Sequence, residues 1–265
     1  METVIIIGAM KAGTTTLFNM LAEHPKICPC ITKEPEFFSP YPGTSLEKYC
    51  DLFDYDPSIH SHRLEASTGY SKAGSSEVPS RIREHGVLPK LIYILRDPFE
   101  RIESHYNYMV RVSHIKWQSK IGSQHLIDAS DYNMQINRYL QYFSKNDLLL
   151  LDFEDLKKRP ATVRKNTYKF LRVEPHAVSS RIIANKTNYS RTYAEVQLRR
   201  FLWKYRAIAP APAQTFARKA LEWVPKIGKA KTLSSKEKRL IHMQLAPGMR
   251  ELEAEFGFDT GKWGF

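Results

Sequence analysis

The sequence predicts an α/β fold: a central parallel sheet covered by helices on both faces, three layers in all. Three observations carry that expectation. Short apolar runs recur at residues 4–7, 90–95 and 148–151, the first two rich in β-branched residues, the composition of strands buried on both faces. Segments with apolar residues at helical spacing fall between them. The first run passes directly into a glycine- and threonine-rich turn and then into a helix. Strands alternating with helices build a parallel sheet.

The elements follow in order. After the strand at 4–7, a helix is expected over 15–23, where Leu17, Phe18 and Leu21 share a face and Pro25 ends the run. Residues 63–67 read as a second short strand and 90–95 as a third. Asp97-Pro98 then starts a helix, Asp as N-cap and Pro at the first position, running to about Val110. Residues 111–130 lack periodicity and read as a surface loop. A helix is expected over 131–144, a fourth strand over 148–151, and a helix broken at Pro160 over 152–172. Residues 173–192 read as loop and 193–206 as helix. Pro210-Ala211-Pro212 interrupts the pattern before helix resumes to about Phe256. Neither a linker nor a repeat divides the 265 residues, so a single domain over 1–265 is expected.

Composition excludes several classes. Forty Lys+Arg against 28 Asp+Glu leave a net charge of +12, which points to an anionic partner. A hydrophobic content of 42% excludes a disordered chain. No apolar run approaches the roughly 18 residues of a membrane span. The first residues have neither the basic segment nor the apolar stretch of a signal peptide, so no membrane partner and a cytoplasmic location are expected. Cys28, Cys30 and Cys50 form no C-x-x-C pair, and the first two are too close for a zinc knuckle. Buried or idle thiols and no metal are expected. The charge would suit nucleic acid, but no helix-turn-helix, zinc-finger or RNA-binding aromatic motif accompanies it, so no nucleic-acid partner is expected.

The strongest chemical signal is Gly8-Ala9-Met10-Lys11-Ala12-Gly13-Thr14-Thr15-Thr16. A strand, a glycine turn and a helix start aim several backbone N–H groups at one point, and the positive end of the helix dipole adds to them. Lys11 supplies a mobile cation and the threonines supply hydroxyls. A nucleotide kinase would carry G-x-x-x-x-G-K-[ST]. Here Lys11 stands two residues before Gly13, and Thr14 follows it. The loop is a relative of the phosphate loop with its lysine moved. A kinase using ATP and Mg²⁺ becomes the lesser alternative.

Together with residues 90–106, that order resembles the sulfotransferases that use 3′-phosphoadenosine 5′-phosphosulfate (PAPS). K-A-G-T-T-T-L at 11–17 looks like their 5′-phosphosulfate loop. Tyr93-Ile94-Leu95-Arg96-Asp97-Pro98, followed by Arg101 and Ser104, looks like their 3′-phosphate motif. Residues 252–263 look like the family's closing helix and its tryptophan. The resemblance implies a P-loop-like fold over nearly the whole chain and PAPS as co-substrate, with adenosine 3′,5′-bisphosphate as product and no metal. It implies that Lys11, Ala12, Gly13, Thr14, Thr15 and Thr16 hold the 5′-phosphosulfate, and that Arg96 and Ser104 hold the 3′-phosphate. Lys186 and Arg191 sit where the family places a late nucleotide-contacting loop. A guanidinium fork suits a phosphate; the competing reading pairs Arg96 with Asp97 or Glu100.

The expected catalytic set is Glu34, Lys11 and Ser104. Lys11 would stabilise the group in flight and the leaving phosphate. Residues 32–38 look like the acidic-Pro-x-Phe-Phe segment of the heparan-sulfate sulfotransferase branch, whose glutamate is the base, and Glu34 takes that position. Apolar Phe37 and Phe38 are expected to desolvate it; the competing reading is a solvated acid balanced by Lys33. Glu36, His24 and His105 are the other candidate bases. One departure stands out. The branch has a Glu-Lys-Ser/Thr segment whose lysine assists catalysis, and here Glu65-Ala66-Ser67-Thr68 carries alanine in its place. Lys72 is a candidate substitute. The change argues against a glycosaminoglycan-type mechanism. The expected acceptor is a small molecule such as a secondary metabolite, sulfated on a hydroxyl or on an amine or guanidine nitrogen; a saccharide is the alternative. Tyr106, Tyr108, Trp117, Phe37 and Phe38 are candidate pocket residues.

Overall fold

The computed structural model describes residues 2–39, 45–112, 120–176 and 230–265. Trp117, Lys186, Arg191 and the helix expected at 193–206 lie outside them. The described elements are β1 (Glu2–Gly8), α1 (Thr14–Ala22), β2 (Ile27–Pro29), α2 (Leu46–Cys50), β3 (His62–Ala66), α3 (Val78–Glu84) and β4 (Pro89–Leu95). They continue with α4 (Pro98–Val112), α5 (Gln124–Asp128), α6 (Tyr132–Leu140), β5 (Leu148–Asp152), α7 (Phe153–Lys158), α8 (Pro160–Leu171) and α9 (Ser235–Phe256). Short 3₁₀ turns sit at Thr68–Ser71, Lys145–Asp147 and Gly261–Trp263.

The five strands form one sheet in the order β2-β3-β1-β4-β5, and every pairing is parallel. β1 lies at the centre, and Val4, Ile5, Ile6 and Ile7 are all 0% exposed, as expected of a strand covered on both sides. Strand order reverses between β1 and β4: after β1 the chain goes to the edge strand β2, returns to β3 beside β1, then crosses to β4 and β5 on the other side. Such a switch point leaves a crevice at the carboxyl ends of the strands, where α/β proteins bind ligands. The turn after β1 and the start of α4 both open there.

Local chemistry sets the helix starts. The Asp97 carboxylate accepts from the Phe99 and Glu100 N–H groups at 2.8 and 3.0 Å, the N-cap the sequence predicts. Pro160 opens α8 as Arg159 ends α7. A Ser234–Glu237 capping box starts α9. α9 ends at a left-handed Gly257, and Trp263 packs in the core beyond it.

Besides α5, three short elements are absent from the sequence expectation. β2 has three residues at the sheet edge, too few for a recognisable run. α2 and α3 have five and seven residues, below the length at which a helix holds itself. Tertiary burial of Tyr49 and Ile82 holds them instead. The loop expected over 111–130 is corrected at both ends. α4 runs on to Val112, and α5 buries Leu126 and Ile127 in a helix too short to show a period. α6 stops at Leu140 rather than at residue 144, although Phe143 beyond it stays buried. Cys28 and Cys30 are buried, and burial pushes the Cys30 thiol up to about 11. Among the described residues no helix is long and apolar enough to cross a membrane, and no group of three metal-binding side chains occurs.

Candidate active site

The turn after β1 is held from its own sheet: the Ala9 N–H donates to the Ile94 carbonyl of β4 at 2.9 Å. Lys11 and Gly13 then adopt left-handed backbone, φ 73° and 87°. Gly13 is the N-cap of α1, and no side chain caps that end. A Cβ at Gly13 would stand 3.1 Å from the Phe153 ring, so glycine meets both the φ and the space. An uncapped N-terminus of a nine-residue helix, at a strand's carboxyl end, offers N–H groups and a positive dipole to an anion. Ala12 and Thr14 are buried; Lys11, Thr15 and Thr16 are half-buried at its rim.

The start of α4 supplies the cations. Arg96 donates through Nη1 to the Lys11 carbonyl at 2.9 Å and through Nη2 to the Glu100 carboxylate at 2.9 Å. It therefore touches the loop and also makes the Glu100 pair of the competing reading. Its guanidinium lies 4.7 Å over the Phe153 ring. Lys11 Nζ lies 4.3 Å over the Tyr108 ring, one helical turn beyond the buried Ser104. Lys11, Arg96 and Ser104 thus come together at the crevice.

Arg101 is the residue the sequence reading undervalued. It is 0% exposed, and its guanidinium donates to the Ser130 hydroxyl and the Leu126 carbonyl, both at 2.6 Å. Nη1 donates to His105 Nδ1 at 3.2 Å and reaches the Met10 carbonyl of the loop at 3.5 Å. Among the described residues no carboxylate forms an ion pair with it. The available signal was its position, three residues before Ser104 and four after Asp97, on the helix face that meets the loop.

The candidate bases separate clearly. His105 is buried, and burial, then Arg101, then Lys72, His125 and Lys11 hold its pKa down to about 2. It is a neutral ring whose Nδ1 lone pair is already engaged. His24 accepts the Lys26 N–H at 3.0 Å and donates to the Glu174 carbonyl at 2.9 Å, so both nitrogens serve the fold. Both oxygens of Glu36 are engaged, by the Gly69 N–H at 2.8 Å and the Ser39 hydroxyl at 2.7 Å. Glu34 is the most exposed carboxylate of the group, its Oε2 accepting a long bond from the Thr68 hydroxyl at 3.4 Å. Its N–H donates to the Ala66 carbonyl at 3.0 Å, and Ala66 pairs with Ile6 of β1, so Glu34 sits at the same strand ends as the loop.

The expected desolvation of Glu34 is corrected. Its side chain is 40% exposed and pairs with Lys33 Nζ at 2.5 Å. Phe37 and Phe38 turn the other way, Phe38 1% exposed against Tyr49 and Tyr70, and Phe37 packed on Phe38. Phe38 and Tyr106 are core, Phe37 is partly buried against it, and of the expected pocket aromatics Tyr108 is the described one that meets the loop lysine. The desolvated carboxyl is Glu65, which burial pushes up. Lys72 follows the 3₁₀ turn after β3 and, like Lys11 and Arg101, acts electrostatically on His105.

The model of the sulfotransferase domain matches residues 1–197. The chain belongs to the sulfotransferase family. A mouse bifunctional heparan sulfate N-deacetylase/N-sulfotransferase 4 is 32% identical over 199 residues, 65% of this chain and 22% of that protein. A mouse heparan sulfate glucosamine 3-O-sulfotransferase 3B1 is 29% identical over 197 residues, 70% of this chain and 48% of that protein. The chain thus spans about a fifth to a half of the length of these curated relatives. Among solved structures, a sulfotransferase from Alicyclobacillus acidocaldarius aligns over 100% of this chain and 99% of its own, with TM-score 0.66 and 20% identity. A mouse sulfotransferase solved with PAP aligns over 94% of this chain and 85% of its own, with TM-score 0.52 and 14% identity. These likenesses agree with the sulfotransferase fold: a parallel sheet flanked by helices, with a P-loop-like turn.

Proposed function

We propose that this sulfotransferase moves a sulfuryl group from PAPS to a hydroxyl or a nitrogen of a small-molecule acceptor. One observation carries the reading. The uncapped N-terminus of α1 is flanked by cations, with Lys11 in the turn before it, Arg96 bonded to the Lys11 carbonyl and Arg101 reaching the Met10 carbonyl. These residues fit the donor's two anionic ends without a metal. PAPS, when bound, supplies a sulfuryl group on a phosphate that departs carrying negative charge.

The chain's own residues do the rest. Lys11, Ala12, Gly13, Thr14, Thr15 and Thr16 bind the 5′ end through N–H groups, hydroxyls and the lysine cation. Arg96 and Ser104 bind the 3′-phosphate, with Lys186 and Arg191 as further contacts. Arg96 trades its exposed Glu100 pair, worth little in water, for a charge-assisted bond. Lys11 steadies the charge that develops on the departing phosphate. Glu34 takes the acceptor's proton, since its carboxylate is exposed at the strand ends and held there by an exposed lysine pair that an acceptor can displace. We assign this work to one domain in a cytoplasmic setting. Ala66, in place of the assisting lysine, favours a small molecule over a glycosaminoglycan. A second reading, sulfation of a saccharide, is favoured by the likeness to the heparan sulfate enzymes.

Calorimetric titration with adenosine 3′,5′-bisphosphate in the absence of metal tests the donor. Binding of the bisphosphate, with none of ATP plus Mg²⁺, supports the proposal; the reverse result replaces it with a kinase. Incubation with ³⁵S-labelled PAPS and a panel of phenols, alcohols and amines, beside N-desulfated heparan oligosaccharides, tests the acceptor. Label on the oligosaccharides alone would overturn the small-molecule assignment.

A further inference from the structure

Glu65 is fully buried in β3, yet it belongs to none of the roles above. Its Oε2 accepts from the Tyr49 hydroxyl at 2.8 Å and its Oε1 from the Ser67 hydroxyl at 2.8 Å. The Tyr70 hydroxyl stands near enough to act on it electrostatically. Two of these hydroxyls face a second partner. Ser67 Oγ accepts the Glu36 N–H at 3.1 Å, and the Tyr70 oxygen accepts the Phe38 N–H at 3.0 Å. A hydroxyl has one proton, so each accepts from the backbone and keeps its proton for Glu65. A carboxylate receives these protons without needing an acceptor of its own in a buried site.

The bonds to Glu36 and Phe38 alternate with the Glu34 N–H bond to Ala66, so every second residue of this segment is tied to the end of β3. Glu34 and Glu36 both hold left-handed backbone, φ 58° and 52°. That conformation is costly for a residue with a Cβ and persists only where neighbours over-determine it. Gly69 completes the arrangement: its N–H bonds the Glu36 carboxylate, and a Cβ at Gly69 would stand 1.9 Å from Glu36 Oε2.

From this network we infer that Glu65 is a positioning residue. Through Ser67 and Tyr70 it fixes the course of residues 34–38, with its left-handed turns at Glu34 and Glu36, and so sets where the Glu34 carboxylate stands. The inference rests on the reading of Glu34 as proton acceptor, but its test does not use turnover.

The test is Glu65→Gln, which keeps the shape but exchanges an acceptor oxygen for a donor NH₂. NMR reads amide exchange at Glu36 and Phe38, and the Cα shifts of Glu34 and Glu36, which report φ. Calorimetry reads adenosine 3′,5′-bisphosphate binding. The expected result is exchange faster by about tenfold at both amides, the equivalent of one lost hydrogen bond. Both Cα shifts should move, and bisphosphate affinity should stay within about twofold. Unchanged exchange and shifts would overturn the proposal, as would a parallel loss of bisphosphate binding, which would mean general damage. Should Glu65→Gln fail to fold, Ser67→Ala and Tyr70→Phe take its place. Ser67→Ala should speed exchange at Glu36 and Tyr70→Phe at Phe38; neither or both amides responding to each variant would refute the relay. If Glu34→Gln keeps full turnover while these amides respond as expected, the base assignment fails and the positioning of the segment stands.

Discussion

The crevice has two unlike walls. On one, between β1 and α4, positive side chains crowd a backbone turn: Lys11 belongs to it, and Arg96 and Arg101 reach its carbonyls at Lys11 and Met10. On the other, at the end of β3, an acid stands half in water on a segment held by hydroxyls. The first wall gains its potential from charge concentrated at a helix end. The second takes its geometry from backbone bonds to Ala66, Ser67 and Tyr70, and the Ser67 hydroxyl reaches on to the buried Glu65 carboxyl. A donor site of this kind tolerates local adjustment, because fields act over distance. A proton acceptor works only at hydrogen-bond reach.

Mutation should break the two walls differently. Lys11→Ala should have the largest effect, lowering the rate of sulfuryl transfer by about 10²–10³-fold in steady-state assays with PAPS. Glu34→Gln should lower the same rate by about 10²-fold while leaving the calorimetric affinity for adenosine 3′,5′-bisphosphate unchanged, which separates the walls cleanly. Arg96→Ala should weaken that affinity by about 10–100-fold, the range of one or two charge-assisted bonds. Full affinity in Arg96→Ala would leave its contacts with Glu100 and the Lys11 carbonyl as its whole role.

The smallest effect concerns His105 and stability. Its folded-state pKa is depressed to about 2, so between the unfolded value and that point the unfolded chain holds a proton the folded chain lacks. Stability should therefore fall as pH drops below roughly 6.5, by up to about 1.4 kcal/mol per pH unit for this group. His105→Gln should flatten part of that slope in urea titrations at pH 7, 6 and 5. Depressed His62 and His125 would account for some of what remains.

The same contrast explains what could be read from the chain. The phosphate-loop wall is contiguous: β1, Gly8, Lys11, Gly13 and the threonines fall in the order that the geometry needs. Arg96 and Asp97 follow directly on the run of β4. Central strands were legible for the same reason, since a strand buried on both faces is apolar throughout. The acid wall is assembled from residues 34–38, 49 and 65–70, and no spacing within any one of them shows their meeting. Phe37 and Phe38 beside Glu34 suggested an apolar pocket, yet the segment's left-handed turns send the rings into the core and the carboxylate into water. Arg101 was hidden likewise: a helix arginine reads as solvated until the fold buries it. The brief helices α2, α3 and α5 owe their existence to tertiary contacts and left no period to find.

The buried guanidinium of Arg101 has a thermodynamic consequence for the whole chain. Lys11, Lys72 and Arg101 stand close enough to act together on one imidazole, and Arg101 has no ion-pair partner among the described residues. An anion settling at the neighbouring helix end meets this assembled charge only in the folded chain. Occupancy and foldedness are then linked, and a ligand present at a hundredfold its dissociation constant adds about 2.7 kcal/mol to the folded state. A melting curve becomes a gauge of donor supply, and a cell short of activated sulfate would hold a less durable enzyme.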